Sequence, residues 1–155
     1  LETVRAAKST IDLLIVAAHW GGNWGYSPPP EHSAFGRALI DAGADVVFGH
    51  SCHVVRGVEV YHERPILYSA GNFIDDYAVD EIERNDRSLL FMLEAKGEQL
   101  VRMRLYPTVI RQYQARMAKG TEAESIGALM RKLCRDLGTV ASWDAGEQCL
   151  EIALR

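Results

Sequence analysis

Two short apolar runs, each ending in a histidine near glycine, constrain this chain more than any other feature. Ile11–Ala18 (IDLLIVAA) leads into His19-Trp20-Gly21-Gly22, and Asp45–Phe48 (DVVF) leads into Gly49-His50-Ser51-Cys52-His53. Nearly unbroken apolar runs of this length predict strands buried on both faces of a parallel sheet. Between them, Asn23–Pro30 holds Gly25 and three consecutive prolines, which cannot continue a ladder but can enter a helix at its first turn. A helix is expected from near Glu31, with Phe35, Ala38, Leu39 and Ala42 as its apolar stripe and Gly43 as a left-handed stop. Strand, helix and strand make a β-α-β unit, whose right-handed crossover leaves both strands parallel. Both then end at one edge of the sheet, where open α/β sheets bind their ligands, and His19, His50 and His53 are expected to converge there.

Beyond Val54 the period changes to two. Val58 and Val60 alternate with Glu59 and Tyr61, His62-Glu63-Arg64 turns the chain, and Ile66–Ser69 returns, which predicts a hairpin. A loop from Gly71 to Asp86 precedes a second hairpin, Leu89–Leu93 and Leu100–Leu105 around Lys96-Gly97-Glu98, with Pro107 expected to end the pairing. Thr121 and Glu124 have the spacing of a capping box. Ile126, Leu129, Met130, Leu133 and Leu137 carry a helical period up to Gly138. Leu1–Lys8 reads as the last turns of a helix, so an upstream part is expected to be missing. At 155 residues, 48% of them hydrophobic, the chain suffices for one domain, here expected to be part of a larger one.

Charge narrows the partners. Seventeen basic against 21 acidic residues give a net charge of −4, which argues against a grip on nucleic acid or anionic membranes. The longest apolar run, Leu13–Ala18, is far below the ~20 residues needed to span a bilayer. Three cysteines at unrelated spacings predict reduced thiols rather than a disulfide framework and leave the compartment open.

Imidazole is the commonest transition-metal ligand, and glycines near His19 and His50 would let the backbone turn the rings inward. Three histidines at one sheet edge therefore predict a divalent metal site, with zinc, manganese and iron all open. A lone histidine at a strand end is more often capped or solvated, so convergence carries this reading. His32 and His62 lie in a helix's first turn and a hairpin turn and are expected at the surface. Trp20 and Trp24 could wall a pocket, although core filling is the commoner fate of tryptophan. A rival reading makes Gly49-His50-Ser51 a nucleophile elbow with Ser51 attacking. That elbow needs glycine where His53 stands and a helix where the sequence alternates like a strand. Gly21-Gly22-Asn23-Trp24-Gly25 also lacks the dinucleotide-binding spacing.

Ile15–Gly21 (IVAAHWG), Leu39–Val54 (LIDAGADVVFGHSCHV), Glu59–Tyr61 and Ile66–Phe73 (ILYSAGNF) resemble, in order and spacing, the C-terminal half of the CapA-type capsule-synthesis proteins, also called poly-gamma-glutamate synthesis proteins. The resemblance covers about Ile11 to Pro107. It places the chain with the calcineurin-like metallophosphoesterases and implies an α/β fold: the C-terminal half of an α/β/β/α sandwich with a two-metal site. His19 corresponds to the family's H-W-G histidine, His50 and His53 to its G-H-x-x-H pair, and Asn72-Phe73 to its N-F loop, so Asn72 joins Trp20 as a substrate-pocket candidate. Cys52 stands where the family usually has proline. It is expected to be accessible, as a soft ligand or redox-sensitive switch or else as a small packing residue, the last preferred.

The family's N-terminal metal motifs have no counterpart in these residues. The resemblance thus implies a metal-dependent, phosphoesterase-like hydrolase in bacterial capsule or polyglutamate synthesis, associated with the cell envelope. His19, His50 and His53 would be its metal-binding and catalytic residues, its divalent ions its cofactors, and its N-terminal half the partner it needs. Other capsule-synthesis components are further candidate partners. The alternative is a non-catalytic assembly component of a polymer-synthesis complex.

Overall fold

The computed structural model describes residues 1–155. The elements are α1 (Glu2–Lys8), β1 (Ile15–His19), α2 (Pro30–Asp41), β2 (Val46–His50), β3 (Val58–Tyr61), β4 (Arg64–Leu67), β5 (Arg87–Lys96), β6 (Gln99–Arg111), β7 (Gln114–Met117), α3 (Thr121–Asp136), β8 (Ser142–Asp144) and β9 (Cys149–Ala153). They form an α/β fold with two sheets. The first has the order β1-β2-β4-β3, with β1, β2 and β4 parallel and β3 antiparallel to β4. The second has the order β5-β6-β9-β8, with β7 also paired to β6.

Strand alternation assigns the two faces of the first sheet. Val47 of β2 and Ile66 of β4 pack with Leu39 and Ile40 of α2. Val46, Val58 and Leu67, on the other face, join Met103, Leu105, Leu150 and Ile152 of the second sheet in the main core. The buried face of α3 (Ala123, Ile126, Met130, Leu133 and Cys134) enters the same core, so α3 lies on the inner side of the second sheet. That sheet's outer side carries Arg102 bridging Glu94 and Glu151, together with exposed Leu90 and Met92 of β5.

Several sequence expectations need correction. The first strand begins at Ile15, not Ile11, and is not buried on both faces. It is the outermost strand of its sheet, with Ile15 54% exposed and Ala17 and His19 open as well. Phe35 of α2 faces solvent. The helix instead buries Gly36, Leu39 and Ile40, because the missing side chain at Gly36 lets α2 approach Ile66 and Tyr68. Pro107 does not end β6. It stands opposite Leu89 where β6 changes partners, after Arg102–Leu105 pair with β9 and before Thr108–Arg111 pair with β7, so its missing N–H interrupts neither ladder. Thr121 is not a cap either: the N-cap is Gly120, in a backbone conformation with φ 57°, and Thr121 is already helical. Strands β7, β8 and β9 were not anticipated. The two hairpins and the start and span of α3 agree with the sequence pattern.

Candidate functional site

Parallel pairing of β1 with β2 sets the site. Ile15 stands opposite Val46, and counting along both strands puts His19 opposite His50 at their shared carboxyl ends. Paired residues of parallel strands project to the same face, and the two imidazoles meet edge to face with ring centroids 5.2 Å apart. Phe48, two residues back on that face, lies 6.2 Å from the His50 ring.

Gly49 serves this arrangement by its size, not by turning the chain. A Cβ there would come within 2.6 Å of the Leu67 carbonyl oxygen and of the Trp20 indole. The turn falls one residue past His50, at Ser51, whose φ of 101° is rare for a residue with a side chain. The chain then proceeds through a bridge between Val55 and Ala70 into β3, not into a helix, and Ser51 donates no hydrogen bond to a histidine. The nucleophile-elbow reading is therefore without structural support.

His53 has its own surroundings. Its ring lies between Trp24 and Tyr77, at 5.5 and 5.1 Å, and its Nδ1 is 2.9 Å from Asn72 Oδ1. Asn72 Nδ2 donates to Asp75 and to the Asn85 carbonyl, which leaves Oδ1 as the atom turned to His53. In the neutral ring this contact favours the tautomer with the proton on Nδ1 and leaves Nε2 as the open nitrogen. A hydrogen bond on one ring nitrogen fixes the tautomer of a metal-binding histidine in this way. Asn72, reached from the sequence as a pocket residue, acts here as the partner that orients His53.

The structure thus brings His19 and His50 together and gives His53 to Asn72, Trp24 and Tyr77. No three His, Cys, Asp or Glu side chains gather as a ready metal cluster. As a donor set, paired imidazoles are of the kind that would suit a borderline divalent ion, and two of them would make only part of a coordination shell. Trp20 is core, 8% exposed, its Nε1 donating to the Tyr68 carbonyl at 3.0 Å, so it does not wall a pocket. Cys52 is not accessible. At 4% exposure its Sγ–H is directed at the Asn23 carbonyl, 3.3 Å away, which matches the packing reading.

His32 is not a surface residue: it is half-buried and stacked on Trp20 with centroids 5.2 Å apart. Burial, and after it the charge of Arg56, pushes its pKa down. His62 is exposed as expected. The residue that sequence reasoning missed is Arg56, fully buried beneath the loop that follows β1. An arginine in a strand-like run gives no signal that it will be buried.

A β-α-β unit with histidines paired at its carboxyl edge, backed by a second sheet, is the architecture of an α/β protein that binds its ligand beyond the strand ends. Comparison with known proteins makes that class specific. Residues 1–77 match the family described as bacterial capsule synthesis protein PGA_cap. Over 140 residues, 87% of the chain, it is 35% identical to a probable polyglutamine synthesis accessory protein of Mycobacterium tuberculosis, covering 37% of that protein. Over 147 residues, 95% of the chain, it is 31% identical to the capsule biosynthesis protein CapA of Bacillus anthracis, covering 34% of it. Its identity to the PGA biosynthesis protein CapA of Bacillus subtilis is 40% over 76 residues, 49% of the chain and 20% of that protein. The chain belongs to the CapA-type family of bacterial capsule synthesis proteins. It spans about a third of the length of the curated relatives it matches over most of its residues.

Proposed function

We propose that residues 1–155 carry the histidine half of a divalent-metal, phosphoesterase-like site in a protein of capsule or polyglutamate synthesis. The observation that carries this reading is the register of β1 on β2, which sets His19 beside His50 at the sheet's carboxyl edge. A bound divalent ion would polarise a phosphoryl oxygen and acidify a bound water. The chain's own part is to hold two imidazoles at one edge and to present a third, His53, oriented through Nδ1 by Asn72.

The remaining ligands would come from the rest of the full-length protein. Two observations support that occupant. The relatives are close to three times the length matched here. In addition, β1 pairs only with β2, so its other edge is free, and Ile15 and Ala17 are uncovered on the face that carries His19. A depression lined by Phe48, Phe73 and Phe91 lies at that face. A strand added to β1 from the remainder of the protein would cover this flank and bring its side chains to the histidines.

The second reading is a non-catalytic accessory or assembly component. The word "accessory" in the mycobacterial relative's name favours it. Zinc, manganese and iron titrations, with hydrolysis of a chromogenic phosphodiester, separate the two. The full-length protein should bind metal and turn over, and His19→Ala or His50→Ala should abolish both. Residues 1–155 alone should bind weakly and not turn over. Robust turnover by residues 1–155 would refute the half-site reading, and a full-length protein that binds no metal would establish the accessory one.

A further inference from the structure

We propose that Arg56 is a positioning residue whose buried guanidinium locks the loop after β1 onto the loop after β2 and so fixes where His53 and Trp24 stand. Arg56 is 2% exposed and pairs with no carboxylate. Its Nε donates to the Gly25 carbonyl at 3.0 Å and its Nη2 to the Trp24 carbonyl at 3.2 Å, while Nη1 has no partner in the chain. Burying a guanidinium without a counter-charge is among the least favourable choices a fold can make, and an apolar side chain of similar length would fill the space without that penalty. What such a side chain could not do is hold two carbonyl oxygens of a neighbouring loop.

Those carbonyls belong to the segment that meets His53. The Asn23 carbonyl, one residue before Trp24, accepts the His53 amide at 2.8 Å and faces the Cys52 thiol at 3.3 Å, and the Trp24 ring lies against the His53 ring. Arg56 itself is anchored. Its amide donates to the Ser69 carbonyl at 3.1 Å, and next to it Gly57 is packed so closely on α3 that a Cβ would come within 2.5 Å of the Leu133 carbonyl oxygen. The guanidinium thus reaches from a fixed point in the core to a glycine-rich loop that is otherwise held by the His53 amide and Cys52 thiol on one side and by Glu83 on the other. The consequence for metal binding rests on the reading of the histidine edge given above, but the lock itself does not.

The experiment compares wild type, Arg56→Gln and Arg56→Lys by amide hydrogen exchange and melting temperature. In Arg56→Gln the His53 amide should exchange at least tenfold faster while the β2 amides of Val47 and Phe48 keep their protection. Arg56→Lys, which retains a cationic donor, should recover part of that protection. Unchanged exchange at His53 in Arg56→Gln would overturn the proposal, as would a loss spread evenly over β2 and α3, which marks a merely structural role. If Arg56→Gln does not fold, the same comparison of His53 with β2 in Arg56→Lys decides. Zinc titration adds the functional arm: Arg56→Gln should weaken binding in the wild type and have no further effect in a His53→Ala background. Absence of zinc binding by the wild type would count against the metal reading, and the exchange result would still decide the role of Arg56.

Discussion

Replacing Gly49 by alanine should strain the site's foundation without unfolding the protein. Three atoms, the Leu67 carbonyl oxygen and Cζ2 and Nε1 of Trp20, would lie 2.6 Å from the new methyl, against 3.4 Å for ordinary contact. Each must give way by about 0.8 Å. The Leu67 carbonyl is backbone of the β2–β4 ladder, so the two strands must shift locally, and Trp20 has to move as well, and with it the 3.0 Å bond from Nε1 to the Tyr68 carbonyl and the stacking on His32. Overpacking of this kind costs ~1–3 kcal/mol and the lost hydrogen bond ~1 kcal/mol. Alanine's better strand propensity offsets ~0.5–1 kcal/mol, leaving a net loss of about 1–3.5 kcal/mol. Against a typical stability of ~5–15 kcal/mol the variant still folds. Urea denaturation should show the midpoint lowered by about 0.5 M or more with the slope unchanged, and a shifted tryptophan emission. Gly21→Ala is the control: no atom lies within 4 Å of its Cβ and its φ is not left-handed, so its midpoint should not fall. Equal midpoints for Gly49→Ala and wild type, with unchanged emission, would refute the reasoning.

Asp45, at 2% exposure, receives Lys8 at 2.7 Å, Arg64 at 3.1 Å and the Leu14 amide at 2.8 Å, tying α1 and the entry to β1 onto β2. Asp45→Ala removes one side of a largely buried pair and should cost ~3–5 kcal/mol in chemical denaturation, with Asp45→Asn milder. Burial pushes the Cys134 thiol up to about 11 from an ordinary 9.0. The folded state therefore holds its proton where the unfolded chain has lost it. Stability is full below pH 9 and should fall by about 2–3 kcal/mol as the pH rises to 11, a slope that Cys134→Ala should lack under reducing conditions. Cys52→Ala should leave metal affinity unchanged while His50→Ala lowers it at least tenfold by titration, and an equal loss in both would make Cys52 a ligand.

The β-α-β unit, the two hairpins and α3 were legible because local periodicity and turn chemistry act within a few residues: Ile126, Met130 and Leu133 mark a helix face in any context. The short strands β7, β8 and β9 were not, since three to five residues carry too little pattern and owe their conformation to pairing with β6 and with one another. The sequence also placed the ends of β1 and β2, and with them His19 and His50, at one sheet edge, because parallel strands fix direction and strand ends fix height. Only tertiary packing decided what each of them meets there. Pleat and register put His19 beside His50, while the strained turn at Ser51 hands His53 to Asn72, a residue 19 positions away. Whether a polar side chain is buried is likewise a property of neighbours distant in sequence. Arg56 and Cys52 look like surface residues in the one-dimensional chain and become interior ones only when the loop after β1 folds over them.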